Sequence, residues 1–347
     1  MSLNHKDTEF VKKAILPWLR RRLPAAKQID MPVPVAPAAG GSSETFFIDP
    51  VVRDACGARQ ENWVLRIEPT VHRIYQHAGL EKQYRVMKIL GEAGAVPVPR
   101  VLWYEDNPSV LGAPFFLMER VQGDVPDGFY HSRGLLAEAN PAERERIWLS
   151  ALGALAAIHG ADPALFGFLR NPAEGATGLD QEISVWREYS RWCGFSLTQV
   201  EELAWRWLGD HMPDSRPTGL AWGDARFANM VFSQGECRAV IDWETASLGG
   251  AETDLGWWLF FDWYVSEGVG VPRLAGLPGP EDMLAVWEQL SGRKTQAMEW
   301  HQAFATLRYS MIRNRARYLA AKRSGSDYQP CGPEDLIQLR LIELMAG

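Results

Sequence analysis

Apolar residues recur at helical spacing close to the start of the chain and again over most of its second half. Between Thr8 and Leu23, and from Arg144 to Ile158, they return every three to four positions, which is typical of an amphipathic helix. The same spacing predicts further helices at residues 181–193, 198–208, 281–291, 297–323 and 334–345. We therefore expect the second half of the chain to be mostly helical.

A different pattern, short runs rich in β-branched and aromatic residues and bounded by turn formers, predicts strands. A helix is predicted over Leu80–Glu92, between the second run and the third. The last two runs are close enough in the chain to form a hairpin. In chain order the runs are Thr45–Ile48, Trp63–Ile67, Phe115–Arg120, Met230–Phe232 and Ala239–Ile241.

Together the two patterns predict an α+β fold in three segments. Residues 1–30 form an N-terminal amphipathic helix, residues 31–122 a small β-rich lobe with one helix, and residues 123–347 a larger, mostly helical lobe. The first segment carries seven Lys or Arg against three Asp or Glu. Its basic face has two interpretations: the solvated face of a helix that packs on the protein, or a surface that binds membranes.

Composition and charge narrow the class of protein. With 46% hydrophobic and 23% charged residues among 347, the chain is an ordinary globular protein, and its formal net charge of −7 argues against a nucleic-acid polymer as partner. Four cysteines without C-x-x-C spacing indicate reduced thiols. The N-terminus lacks the apolar core of a secretory signal, and the most apolar stretch, 256–265, is short and contains Asp262. We therefore expect a cytoplasmic protein without membrane insertion.

The segment with the clearest chemistry surrounds the predicted hairpin. Asp224 and Asn229 lie five residues apart before it, and Asp242 follows it. Carboxylate and amide oxygens suit Mg²⁺, which proteins hold through one or two carboxylates together with substrate phosphates. The remaining carboxylate, Asp224, could then accept a proton from an attacking hydroxyl, a division of roles typical of phosphoryl transfer. The plainer alternative for Asp224 is a loop aspartate that caps a turn.

The pattern D-x-x-x-x-N, a hairpin and then I-D-W-E resembles the catalytic loop and metal aspartate of the protein-kinase-like two-lobe fold, and more specifically the aminoglycoside phosphotransferase (APH) family. The resemblance implies an ATP- and Mg²⁺-dependent kinase, with Asp224 as the base and Asn229 and Asp242 as Mg²⁺ ligands. Trp222 replaces the family's usual His, as in the branch associated with acyl-CoA dehydrogenases. In that branch Arg226 would contact a phosphate or an anionic substrate.

The same resemblance implies nucleotide contacts in the small lobe. They comprise a phosphate-covering turn, a basic strand residue with its helix partner, and an adenine-binding hinge with a methionine behind it. Arg66 and Gln83 stand where the family has Lys and Glu; Gln83 can hydrogen-bond Arg66 but supplies no charge, so we expect no ion pair at this position. In the order of these features the residues are Gly41, Ser42 and Ser43; Arg66 and Gln83; and Glu119, Val121 and Met118.

The sequence thus predicts a kinase that transfers the γ-phosphoryl group of ATP to a hydroxyl of a small-molecule acceptor. Two alternatives stand beside it: a kinase-fold module that binds a nucleotide or ligand with little or no turnover, and a Mg²⁺-dependent phosphohydrolase. The basic residues of 302–323, Arg308 among them, form either a solvated helix face or a pocket wall that favours an anionic acceptor. The aromatic run 257–264 is predicted to be core, with a substrate-lining role as the alternative.

Overall fold

The chain forms two compact units in the computed structural model, which describes residues 7–37, 44–71, 73–76, 79–332 and 334–346. The first unit contains Met1–Lys88 and Pro99–Val121, and the second contains Ile89–Val98 and Gln122–Gly347. The strands are β1 (Gln28–Asp30), β2 (Glu44–Ile48), β3 (Val51–Asp54), β4 (Gly57–Gln60), β5 (Trp63–Ile67), β6 (Val101–Glu105), β7 (Phe115–Glu119), β8 (Met230–Ser233) and β9 (Glu236–Val240).

Helices make up most of the second unit, whereas the first contains α1 and most of α2. Among the described residues no single helix is both long and apolar enough to cross a bilayer; one pair bent by 77°, Pro141–His159 with Pro163–Leu169, meets that test by length and composition. The helices are α1 (Thr8–Arg22), α2 (Leu80–Ala93), α3 (Leu135–Glu138), α4 (Pro141–His159), α5 (Gly178–Trp192), α6 (Gln199–Asp210), α7 (Ala251–Tyr264), α8 (Pro280–Ser291), α9 (Met298–Ser324) and α10 (Leu336–Ala346).

The main sheet of the first unit is antiparallel, with strand order β2-β5-β7-β6. Leu65 of β5 pairs with Phe46 of β2 and with Leu117 of β7, and all three side chains are fully buried. They belong to an apolar core completed by α1, whose Ile15 and Trp18 are also buried. The N-terminal helix therefore packs against one face of the sheet, as the first interpretation of its sequence expects.

The opposite face of this sheet carries Arg66 and Met118, because side chains alternate along a strand. Arg66 pairs with Phe116 of β7, and Phe116 contacts Tyr84 of α2 with ring centroids 6.1 Å apart. This face is thus directed towards α2, the helix that also carries Gln83.

The second unit is built around α7, which is buried on all sides from Ala251 to Asp262. A helix of this kind lacks a one-sided apolar stripe, which is why sequence analysis predicts no helix here. It packs closely against α9 at Gly256, where a Cβ would lie 2.6 Å from the backbone carbonyl of His301. Asp254 and Trp257 of α7 contact the loop that precedes the β8–β9 hairpin and carries the predicted motif.

Candidate active site

The loop that carries Asp224 begins with two residues held by a buried carboxylate. Asp254, in the first turn of α7, accepts hydrogen bonds from the backbone N–H groups of Trp222 and Gly223, at 2.6 and 2.7 Å. Gly223 has a φ of +93°, and a Cβ there would lie 2.3 Å from the carbonyl oxygen of Thr245. The tight turn before Asp224 therefore requires glycine.

A buried histidine orients Asp254 from the other side. The Nε2 atom of His159 lies 3.0 Å from Oδ2 of Asp254, and the indole N–H of Trp287 donates to Nδ1 of His159 at 3.0 Å. Because an indole nitrogen can only donate, Nδ1 is the acceptor, and the proton of the neutral ring lies on Nε2, facing the carboxylate. Residues of α4, α7 and α8 thereby fix the start of the loop together.

The Asp224 carboxylate is held at both of its oxygens. The indole N–H of Trp257 donates to Oδ1 at 2.7 Å, and Nδ2 of Asn229 donates to Oδ2 at 2.7 Å. The Nε atom of Arg226 lies 3.0 Å from Oδ1 and 3.1 Å from Oδ2. The Asp224 side chain remains 13% exposed. The structure thus brings together Asp224, Asn229 and Arg226, as the sequence predicts for residues of one site.

Main-chain hydrogen bonds of the preceding residue, Ile241, hold Asp242 beside this cluster. The N–H of Ile241 donates to the carbonyl of Asn229 at 3.0 Å, and the indole N–H of Trp222 donates to the carbonyl of Ile241 at 2.9 Å. Asp242 itself has a φ of +64°, in the left-handed region that residues with a Cβ seldom adopt. Backbone strain of this kind concentrates at functional sites.

The donor set at this end of the hairpin fits Mg²⁺. Because Nδ2 of Asn229 donates to Asp224, the Asn229 Oδ1 atom is directed away from that carboxylate, and Asp242 adds carboxylate oxygens. In the described part of the chain, no group of three or more His, Cys, Asp or Glu side chains is arranged to hold a metal by itself. Two protein oxygen ligands suffice at a Mg²⁺ site that phosphates and water complete.

The outer side of the Asp224 carboxylate is basic and aromatic. The Arg226 guanidinium lies over the ring of Phe261, with 5.0 Å between Cζ and the ring centroid, and the Arg226 side chain is 33% exposed. Tyr309 lies next to Phe261 and Tyr264, with ring centroids 4.9 and 5.3 Å apart. Burial raises the pKa of the Tyr309 hydroxyl far above its ordinary value, so this group carries no charge at neutral pH.

A buried arginine lies behind the loop. Arg308 of α9 is 1% exposed, and its Nη2 donates to the carbonyl of Gly223 at 3.0 Å. Its Cζ atom lies 4.6 Å from the ring centroid of Trp257 and 4.7 Å from that of Trp186. Both sequence interpretations of Arg308, a solvated face and a pocket wall, are wrong, because α9 directs this position into the interior. Sequence analysis also misses Trp257, since an aromatic run does not show which indole N–H meets a carboxylate.

The structure describes some of the residues predicted to contact a nucleotide in the first unit. Gly41, Ser42 and Ser43 lie outside the described residues. Arg66 and Gln83 are both buried. Within the described residues Oε1 and Nε2 of Gln83 have no hydrogen-bond partner, so Gln83 forms no hydrogen bond to Arg66. The Gln83 amide is neutral and lacks the charge with which a carboxylate would attract the Arg66 guanidinium.

One backbone N–H group of the predicted hinge already forms a hydrogen bond within the protein. The N–H of Glu119 donates to the carbonyl of Arg100 at 2.9 Å, and the Glu119 carboxylate forms an ion pair with the Arg100 side chain. In the part of the chain that the structure describes, the N–H of Val121 has no acceptor. Met118 is buried and lies on the same sheet face as Arg66. The N–H of Val121 can therefore meet a base, whereas the N–H of Glu119 is already paired.

Fold and site together define a phosphotransferase of the kinase-like class. A model of the phosphotransferase enzyme family (APH) matches residues 34–293, which is most of the chain. The chain therefore belongs to this family.

Several relatives are much longer than this chain. Acyl-CoA dehydrogenase family member 11 of Rattus norvegicus is 28% identical over 304 residues, and the Homo sapiens protein of the same name is 27% identical over 305 residues. Each match covers 83% of this chain and 37% of the relative. The probable acyl-CoA dehydrogenase IBR3 of Arabidopsis thaliana is 27% identical over 299 residues, which cover 79% of this chain and 34% of that protein. The chain thus spans little more than a third of the length of these relatives.

Solved structures share the fold. A candidate aminoglycoside phosphotransferase from Ralstonia eutropha has a TM-score of 0.68 at 22% identity, over 96% of this chain and 95% of that one. A mutant of APH(4)-Ia in complex with AMP-PNP and hygromycin B has a TM-score of 0.57 at 16% identity, over 96% and 98%. The α+β, protein-kinase-like fold that the sequence predicts is confirmed.

Proposed function

We propose that the protein is an ATP- and Mg²⁺-dependent kinase that phosphorylates a hydroxyl group of a small molecule. The observation that carries this proposal is the Asp224 carboxylate, held at one oxygen by Trp257 and at the other by Asn229, beside Asp242. Membership of a phosphotransferase family supports it. The complexes of APH(4)-Ia with hygromycin B and either AMP-PNP or ADP support it as well.

In this proposal Asp224 positions the attacking hydroxyl and accepts its proton. The hydrogen bonds from Trp257 and Asn229 occupy one lone pair on each carboxylate oxygen, and the attacking hydroxyl would take the place of the Arg226 Nε contact. A carboxylate held in this way needs no reorientation when the hydroxyl arrives. Asn229 and Asp242 would hold Mg²⁺, which neutralises charge on the phosphates when it is bound.

The first unit offers polar groups that suit a nucleotide. Arg66 presents a planar guanidinium on the face of the sheet that is directed towards α2, and such a group binds phosphate through paired hydrogen bonds. Both polar atoms of Gln83 are buried without a partner among the described residues, and unpaired buried polar atoms cost free energy. A ligand that pairs them removes this cost. We assign Arg66 and Gln83 to the phosphates and the N–H of Val121 to the base.

The surroundings of Asp224 favour an anionic acceptor. The Arg226 guanidinium is partly exposed and pairs with Asp224 through Nε, so its Nη1 and Nη2 groups could meet an anionic group of the acceptor, while the nearby Tyr309 hydroxyl stays neutral. A cationic aminoglycoside would meet like charge at Arg226, whereas a phosphate or carboxylate would match the guanidinium fork. We therefore propose an acceptor that carries a hydroxyl group together with an anionic group.

Calorimetric titration with ATP tests the nucleotide site. The wild type is expected to bind ATP in Mg²⁺ and to lose most of this affinity in EDTA. Asp242→Ala should weaken binding about tenfold or more, because it removes a metal ligand, whereas Asp214→Ala, at an exposed position of the same unit, should not. Absence of binding to the wild type, or full binding to Asp242→Ala, would contradict the proposal.

Gln83, whose amide has no hydrogen-bond partner among the described residues, favours a second candidate function, a nucleotide-binding module with little or no turnover. A neutral amide in place of a carboxylate lacks the charge that would orient the Arg66 guanidinium on the phosphates, which would lower the rate of transfer more than the affinity. Binding of ATP and Mg²⁺ without ADP release for any hydroxyl acceptor would favour this function. ADP release that depends on an acceptor would exclude it.

A further inference from the structure

Trp257 contacts the proposed base, and Arg308 contacts both Trp257 and the loop that carries the base. We propose that Trp257, supported by Arg308, is a positioning residue that fixes the orientation of the Asp224 carboxylate for phosphoryl transfer. The proposal rests on the proposed function, because it concerns the geometry of the group that would accept the proton.

Trp257 donates a buried hydrogen bond to the Asp224 carboxylate. Trp257 lies in α7 and is 3% exposed, so its indole N–H has little access to water and donates to Oδ1 of Asp224 at 2.7 Å. Asn229 donates to the other oxygen. Rotation of the carboxylate about its Cβ–Cγ bond would break both of these hydrogen bonds and the contact with Arg226 Nε, which lies 3.0 and 3.1 Å from the two oxygens.

Arg308 in turn holds the indole ring of Trp257. Its guanidinium lies between the rings of Trp257 and Trp186, within the distance at which a cation is attracted to an aromatic face. The same guanidinium donates to the carbonyl of Gly223, the residue before Asp224. Arg308 therefore holds both the indole that contacts the carboxylate and the main chain that leads to it.

The cost of this arrangement argues against a purely structural role. The Nε and Nη1 atoms of Arg308 are buried without a hydrogen-bond partner among the described residues, and the nearest Glu182 oxygen is 3.7 Å from Nη1. Arg308 pairs with the buried Glu182 only at this distance, and replacing both residues by apolar side chains of similar volume would remove a buried ion pair with incomplete hydrogen bonding. A cation at this position can hold the Trp257 indole and the Gly223 carbonyl at a fixed distance from each other.

Paired variants in α7 test the role of the indole N–H. Trp257→Phe keeps an aromatic ring and removes the donor, and Trp258→Phe makes the same change at the next residue, which is also 3% exposed. We expect Trp257→Phe to lower kcat by about 10- to 100-fold with the KM for ATP unchanged. Trp258→Phe should leave kcat within about twofold. Equal effects of the two substitutions on kcat would overturn the proposal.

Paired variants in α9 test the buried cation. Arg315 also lies over a tryptophan, Trp192, and also donates to a main-chain carbonyl, but on another part of the unit. Arg308→Met should lower kcat, Arg308→Lys should retain more of it, and Arg315→Met should leave it unchanged. A kcat for Arg308→Met equal to that of Arg315→Met would overturn the role of Arg308. If Arg308→Met does not fold, the comparison of Arg308→Lys with Arg315→Lys decides in the same way.

The indole N–H resonance of Trp257 gives a readout that needs no acceptor. In protein labelled with ¹⁵N-tryptophan, this resonance is the one lost in Trp257→Phe. It should move upfield in Asp224→Ala and shift in Arg308→Met, and it should stay in place in Arg315→Met. A resonance that does not respond to Asp224→Ala overturns the positioning contact, whatever the activity. A responsive resonance in a protein that binds no ATP with Mg²⁺ overturns the proposed function instead and makes the contact purely structural.

Discussion

The charge of Asp224 can be changed with little change of shape. In Asp224→Asn the new amide cannot accept a proton, and its NH₂ group must face either the indole of Trp257 or Nδ2 of Asn229, with Arg226 Nε close to both positions. We expect kcat for ADP release in the presence of an acceptor to fall by about 10²- to 10⁴-fold, with ATP affinity within a few-fold of wild type. A variant that keeps more than a tenth of the wild-type kcat would show that Asp224 is not the base.

The glycine before Asp224 offers a second test, of stability. Gly223→Ala and Gly270→Ala both place a Cβ at a positive φ, +93° and +73°, but Gly270 has no atom within 4 Å of the new Cβ. The clash with the Thr245 carbonyl is therefore specific to Gly223. Denaturant unfolding should show Gly223→Ala to be less stable than Gly270→Ala by about 2 kcal/mol. Equal losses would mean that the loop relaxes without cost.

The sequence predicts some of these residues and not others, for a physical reason. Asp224, Asn229 and Asp242 are recognisable because a short loop and one hairpin bring them together. Trp257 and Arg308 contact residues 33 and 85 positions away, and only the packing of α7 and α9 decides those contacts.

At the scale of elements, the contact between α7 and α9 predicts how stability depends on pH. His301 lies at this contact, and burial lowers its pKa to about 3. The unfolded chain protonates the same ring near pH 6.5, so unfolding takes up a proton between these values. The neutral His301 ring therefore does not lower the free energy of unfolding above pH 6.5. Below that value the free energy of unfolding falls as the pH drops towards 3.

This dependence can be measured on one substitution. His301→Phe removes the titrating ring while keeping its approximate size. Between pH 6 and 4 the free energy of unfolding of the wild type should fall more steeply than that of His301→Phe, by up to about 1.4 kcal/mol per pH unit. Parallel slopes for the two proteins would show that His301 takes up its proton without unfolding.

The elements differ in how well their sequences reveal them. The strand β5 is predicted with its observed bounds, because a run of apolar residues between turn formers marks a buried strand. The strand β4 is exposed throughout and has no apolar pattern, and β1 and β3 have only three and four residues. The helix α7 escapes prediction for the opposite reason, since it is buried on every side.

At the scale of the whole molecule, ligand binding should appear as stability. A ligand that binds only the folded state raises the free energy of unfolding by about 2.7 kcal/mol at 100 times its Kd. ATP with Mg²⁺ should therefore stabilise the protein in thermal or denaturant unfolding. The same ATP concentration should have little effect in EDTA or on Asp242→Ala. Equal stabilisation without Mg²⁺ would indicate a nucleotide site that does not involve Asn229 and Asp242.

The helix α7 holds the main chain before Asp224 through Asp254 and the carboxylate itself through Trp257, one turn further on. A mutation that tilts or slides this helix would therefore displace the base along with any substrate contact that the helix makes. We expect relatives that diverge in acceptor to keep α7 in place and to vary elsewhere, for example in the connection 265–279 that follows it. The same helix thus limits the directions in which new specificities can evolve.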